Sequence, residues 1–248
     1  TVKTRLGWDD KSKFVVSTAE KLQDVGVEAI SIHGRTRVQL YKGDADWTLI
    51  GEVKNNPRMH IPIFGNGDVN SPEKVVEYKN RYGVDGNMIG RASIGNPWFF
   101  NEVKHFMAHG SHLAPPSIRE RVAATKDHLR MSVEWKGANL AIAEMKRDYT
   151  NYFRGISHFK EYRTKLVTSN DLLEVNELLD WIAEHEDEFL FMQNIIETGV
   201  ERLDADEVLK VVSIYNRVFN ENKKPTNCSS CFVNSIFKPL KTLYGTYK

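Results

Sequence analysis

Along the first hundred residues, short runs rich in β-branched residues alternate with segments whose apolar positions recur at helical spacing. The runs fall at Val2 to Leu6, Ala29 to His33, Ile61 to Gly65 and Asn87 to Gly90. They stand roughly 25 to 30 residues apart, the length one strand–helix–strand crossover occupies. This alternation predicts parallel βα units. Between the strands, Ser12 is expected to open a helix with Phe14, Val15, Ala19, Leu22 and Val25 on one side and Gly26 as its left-handed stop. Ser71 suits an N-cap, Pro72 the first helical turn, Glu73 the positive end of the dipole and Gly83 the C-terminus. Trp47, Ile50 and Val53 mark a short helix.

After Pro115-Pro116 the β pattern ends, which places a domain boundary near residues 108 to 117. Residues 115–187 read as all helix. There Ile142, Met145, Tyr149, Tyr152 and Ile156 form a stripe predicted to face a core, with Arg147 and Arg154 on the opposite side. Residues 189–248 read as a further helical tail. In it Asp204 and Glu207 form a capping box, and Val208, Val211, Val212, Tyr215, Val218 and Phe219 give an apolar face. A break at Lys223-Lys224-Pro225 precedes Cys228, Cys231 and a last apolar segment.

With 248 residues, 41% of them hydrophobic, the chain can bury a sizeable core. The 34 basic and 33 acidic residues nearly cancel, so any nucleic-acid surface must be local. No apolar stretch approaches the roughly 18 residues a membrane helix needs, which excludes a helical membrane span. The start, Thr1-Val2-Lys3-Thr4-Arg5, lacks the features of a secretory signal and reads as a chain joined partway. Two cysteines cannot build a disulfide framework, which suits a reducing cytoplasm. The Cys-x-x-Cys pair supplies only half the ligands of a structural zinc site, so no metal is predicted and ordinary thiols are expected, with zinc sharing or a disulfide between molecules as the alternatives.

Candidate chemistry gathers at the strand ends, where ligands of parallel α/β domains bind. Strand one carries Lys3 and Arg5; strand two ends in His33-Gly34-Arg35-Thr36-Arg37, strand three in Gly65-Asn66-Gly67-Asp68 and strand four in Gly90-Arg91. Glycine lets the backbone approach a phosphate closely, and arginine beside a helix start supplies positive potential. Singly, each glycine also fits a turn and His33 a structural role. Together the four ends point to a phosphorylated cofactor.

These residues carry a resemblance. Thr1 to Trp8, His33-Gly34-Arg35-Thr36-Arg37, Pro62 to Asp68, and Asp85 to Ala92 through Gly95-Asn96-Pro97-Trp98 resemble, in order and spacing, the strand-end motifs of the tRNA-dihydrouridine synthases. Ala141 to Arg147 and Tyr152-Phe153-Arg154-Gly155 resemble that family's helical tRNA-binding domain. The resemblance implies an α/β fold, a partial (β/α)8 TIM barrel comprising the last four βα units in residues 1–110, then an all-α helical domain and the helical tail. It implies FMN as cofactor, NADPH as reductant, and reduction of the C5–C6 double bond of a uridine extruded from tRNA. By matching position, Lys3 and His33 would meet the flavin and uracil as catalytic candidates, and Asn66, Gly67, Asp68, Gly90 and Arg91 would hold the FMN phosphate. Arg35 and Arg37 would meet flavin phosphate or RNA. Arg147, Arg154, Lys160 and Arg163 would meet the tRNA backbone, or form a solvated helix face. The family's general acid, a cysteine in the first half of the barrel, has no counterpart here. The resemblance therefore implies a C-terminal portion of a synthase, and the apolar burial a half barrel loses leads to the expectation that it pairs with another copy, recruits the missing N-terminal half, takes cover from its tail, or folds poorly. A non-catalytic tRNA-binding remnant, and an interaction protein working through its tail, stay open as alternatives.

Overall fold

The computed structural model describes residues 1–156, 159–198, 203–226 and 229–240. The chain divides into two compact units, Thr1–Pro115 and Pro116–Lys248. In the first, β1 (Val2–Arg5), β2 (Ile30–His33), β3 (Ile63–Asn66) and β4 (Gly86–Met88) form one sheet in chain order, every pair parallel. The crossovers are made by α1 (Val15–Asp24), α2 (Thr48–Asn55) and α3 (Pro72–Tyr82), and α4 (Phe99–His109) follows β4. This is the parallel βα array the strand spacing predicts, with the sequential order of a barrel wall.

Alternation along the strands gives the sheet two chemically distinct faces. Ile30, Ile32 and Ile63 lie on one face, fully buried in a core with Val15, Ala19, Trp47, Ile50, Val53 and Val75. The other face carries Lys3 and Arg5, Ser31 and His33, Phe64 and Asn66, and Met88. Register aligns Arg5, His33, Asn66 and Met88 in one row across all four strands.

Local punctuation explains where helices begin and end. Ser71 accepts the Lys74 N–H at 3.4 Å, Pro72 follows it, and Gly83 closes α3 at φ 70°. Ser12 does not open α1, contrary to expectation. Its hydroxyl donates to Asp9 Oδ1 at 2.8 Å and accepts the Asp9 N–H at 2.9 Å, closing a separate turn, and the helix starts at Val15 without a side-chain cap. The fourth strand is shorter than expected and ends at Met88.

The second unit contains α5 (Ile118–Lys136), α6 (Ala138–Tyr152), α7 (Lys160–Thr168), α8 (Leu172–Glu184), α9 (Glu186–Thr198), α10 (Ala205–Phe219) and the short α11 (Ser229–Phe232), continued as a π-turn over Val233–Phe237. Ile142, Met145, Tyr149 and Tyr152 are buried as the stripe predicts. Ile156 and Arg154 lie beyond this helix, a correction to the sequence reading. The helix stops at Tyr152 because Arg121 Nη1 donates to the Tyr152 and Arg154 carbonyls, both at 3.0 Å, while buried Phe153 stacks on Phe159 at 4.5 Å.

Met192, Ile195, Val211, Val212, Ile214, Tyr215, Phe232, Ile236, Phe237 and Leu240 form a core of the tail's own. Arg217 of α10 donates to Glu188 at 2.7 Å and lies over the Trp181 ring at 5.2 Å, fastening the tail to α8 and α9. Cys228 lies outside the described residues; Cys231 is exposed. Among the described residues no helix is long and apolar enough to cross a membrane.

Candidate functional site

The polar face of the sheet and the loops that leave it bring the first unit's strand-end candidates together. Lys3 and Asn66 share that face, and Lys3 Nζ donates to Asn66 Oδ1 at 3.1 Å. The Asn66 amide in turn donates to the Met88 carbonyl at 2.7 Å, which links β1, β3 and β4. Burial and the neighbouring Arg5 both lower the Lys3 pKa. His33, at 7% exposure, has its pKa pushed down to about 4 by burial first and then by Arg5, Lys3 and Arg35, with Asp68 opposing. The imidazole is therefore neutral at pH 7.

Asp68 organises the cationic residues. Its Oδ2 accepts from Arg35 Nη2 and from the Ala45 N–H, both at 2.7 Å, and its Oδ1 accepts from Arg91 Nη2 at 2.7 Å. Burial alone would raise its pKa, but the Ala45 and Arg35 bonds and the Arg91 charge outweigh that and hold it below the usual carboxylate range. Asp68 thereby fixes the directions of both the Arg35 and the Arg91 guanidinium groups. Arg35 is buried and also donates to the Gly43 carbonyl at 2.5 Å, so its guanidinium builds the site from within. Arg91, 61% exposed in its side chain, keeps its outer face toward solvent.

Two glycines are dictated by close approach. A Cβ on Gly65 would stand 1.9 Å from the Trp47 ring, and one on Gly67, whose φ is 125°, 2.6 Å from the Ala45 Cβ. Trp47 Nε1 donates to the Gly67 carbonyl at 3.0 Å and so pins the loop that carries Asp68. Gly90 has open space where a Cβ would project, beside Arg91.

Sequence reasoning passed over Tyr41. Arg5 Nη1 donates to the Thr36 and Leu40 carbonyls at 2.8 and 3.1 Å, which folds the loop after β2 back over the strand ends. This sets the Tyr41 ring 5.2 Å from the Arg91 guanidinium, 6.0 Å from that of Arg5 and 6.3 Å from the His33 ring, while Tyr41 stays 63% exposed. An aromatic residue placed a few positions after the His-Gly-Arg-Thr-Arg run was the available signal.

Arg37 is exposed on the same loop. In the second unit Arg147 is exposed on α6, Arg154 on the turn after it and Lys160 at the start of α7, while Arg163 is half-buried.

A parallel β/α sheet in sequential strand order, with a cationic cluster gathered at successive strand ends, defines a protein of the β/α-barrel class. Residues 1–188 match the family model described as dihydrouridine synthase (Dus), and the chain belongs to that family. Curated relatives agree. A probable tRNA-dihydrouridine synthase of Rickettsia conorii is 34% identical over 71% of this chain and 53% of its own length. A probable tRNA-dihydrouridine synthase 1 of Synechocystis is 36% identical over 73% of this chain and 50% of its own. The tRNA-dihydrouridine synthase B of Pseudomonas putida is 34% identical over 69% and 50%. The chain thus spans about half the length of the curated relatives it matches, and the family match stops where the tail begins.

Proposed function

We propose that this chain is the phosphate-binding half of an FMN-dependent tRNA-dihydrouridine synthase, together with its helical tRNA-binding region. The observation that carries the reading is electrostatic. Lys3, Arg5, Arg35 and Arg91 converge at the ends of the four strands around the carboxylate of Asp68, with His33 neutral. A site with such an excess of positive charge calls for an anion, and a flavin phosphate answers it. The fit is supported by the open space at Gly90 beside Arg91 and by the exposed Tyr41 ring, which offers a flat surface.

When bound, FMN supplies a two-electron carrier able to take hydride from NADPH and pass it to a pyrimidine ring. The residues of this chain do the holding. Arg91, aimed by Asp68, meets the phosphate; Lys3, steadied by Asn66, directs its charge toward the ring system; His33 offers a neutral polar edge. Arg147, Arg154 and Lys160 meet tRNA phosphates. The proton donor belongs to the complementary half of the barrel, so turnover is expected only when the two halves are combined.

Titration of FMN into the chain, followed by quenching of flavin fluorescence, tests the reading. Binding is expected, with Arg91→Ala weakening it by roughly ten- to a hundredfold, the cost of one charge-assisted bond. A chain that leaves flavin fluorescence unchanged while retaining tRNA would instead favour a non-catalytic RNA-binding role. In that assay Arg147→Ala should reduce the salt dependence of tRNA retention by about one phosphate contact.

A further inference from the structure

His33 meets Arg35 in an unusual way: the guanidinium Nη1 stands 3.4 Å from the imidazole Nε2. A guanidinium has only donors. A hydrogen on Nε2 would set two donors against each other in a buried place, so Nε2 must present its lone pair. Arg35 has no freedom to yield. It is 2% exposed, and its Nη2 is held by the Gly43 carbonyl at 2.5 Å and by Asp68 at 2.7 Å. Asp68 is held in turn by the Ala45 N–H and by Arg91. The same edge of the ring lies against Gly67, where a Cβ would be 3.1 Å from His33 Cδ2 and 3.5 Å from Nε2.

We infer that Arg35 is a positioning residue that locks the His33 imidazole in its neutral Nδ1–H tautomer, so that His33 meets its ligand as a hydrogen-bond donor and takes no part in proton transfer. The ligand atom opposite His33 is then a carbonyl oxygen or an unprotonated ring nitrogen, both of which flavin and uracil rings carry. That assignment of the ligand rests on the flavin-site reading; the tautomer does not. The charges around the ring act in the same direction. Lys3 and Arg5 from β1 and Arg35 from its own loop oppose an imidazolium, and the counter-charge of Asp68 is already engaged by two arginines.

The experiment is long-range proton–nitrogen NMR on the uniformly labelled full chain, with His33→Asn identifying the His33 signals among the eight histidines. The expected result is a protonated Nδ1 and a bare Nε2 throughout the pH 5 to 8 range in which an ordinary histidine changes charge. A protonated Nε2, or a midpoint near the ordinary 6.5, overturns the inference. Arg35→Met is expected to release a mixture of tautomers and bring the midpoint back toward 6.5, whereas Arg35→Lys, also a pure donor, retains the Nδ1–H form. If the methionine variant does not fold, the wild-type spectrum decides alone. An Nδ1–H ring in a chain that binds no FMN would sink the flavin reading and leave this one standing; FMN bound beside an Nε2–H ring would do the reverse.

Discussion

The contact between Gly65 and Trp47 offers a sharp test of how the site is held. In Gly65→Ala the new methyl would have to occupy a point 1.9 Å from the indole, about a bond length, so the ring must leave its place. That ring is 2% exposed, packs 4.4 Å from Tyr78, and donates to the Gly67 carbonyl at 3.0 Å. Overpacking a core costs about 1–3 kcal/mol, and a buried carbonyl stripped of its donor adds about 1–3 kcal/mol. A loss of about 2–6 kcal/mol is therefore expected, a large part of the stability of an ordinary domain. Hydrogen exchange followed by mass spectrometry on peptides spanning residues 28–34 and 61–68 measures it directly. The β2 and β3 amides should exchange roughly thirtyfold faster or more, since each ~1.4 kcal/mol is a factor of ten. Combining Gly65→Ala with Trp47→Leu should cost less than the sum of the two single changes. Exchange within about threefold of wild type in Gly65→Ala would refute the reasoning, because the indole would then not be held by this packing.

Acid stability follows from His33. Its folded pKa lies near 4 against 6.5 in the open chain, so its contribution is whole above 6.5, fades as pH falls through that window, and is gone below about 4. At pH 5 the loss is about 2 kcal/mol, visible as a lower urea midpoint for the first unit and absent in His33→Gln. Ser117→Ala removes one half of the capping box at the start of α5, where the Glu120 N–H bonds Ser117 at 3.1 Å; about 1 kcal/mol should be lost, read as faster exchange in the first turn. Arg217→Ala strips Trp181 of its cation and Glu188 of its partner. A red-shifted Trp181 emission and a loss of about 1–3 kcal/mol in the second unit are expected.

Much of the architecture was legible because it is written locally. Ser71, Pro72 and Gly83 mark α3 by the hydrogen bonds and backbone angles those residue types favour, with no help from distant parts of the chain. Residues 30, 32 and 63 announce a buried sheet face by their apolar side chains. Ser12 misleads because Asp9 competes for its hydroxyl, a choice made by turn geometry that spacing does not reveal. The end of α6 is likewise decided from outside, by Arg121 reaching from α5 to carbonyls more than thirty residues on. The strand-end residues were found because loops in a parallel sheet converge on one end. Their division of labour was not. That Asp68 serves two arginines, that Arg35 turns inward, and that Tyr41 comes to lie between Arg5 and Arg91 all depend on side-chain paths set by the fold.

The aligned row of Arg5, His33, Asn66 and Met88 carries a consequence for folding fidelity. Sliding a strand by a single position exchanges its two sides, sending the isoleucines of β2 or β3 into water, or Lys3 and Arg5 of β1 into oil. Faulty pairing thus announces itself as instability long before it could yield a well-folded but inert molecule. Assembly of the strand-end cluster and quality control of the sheet become one event.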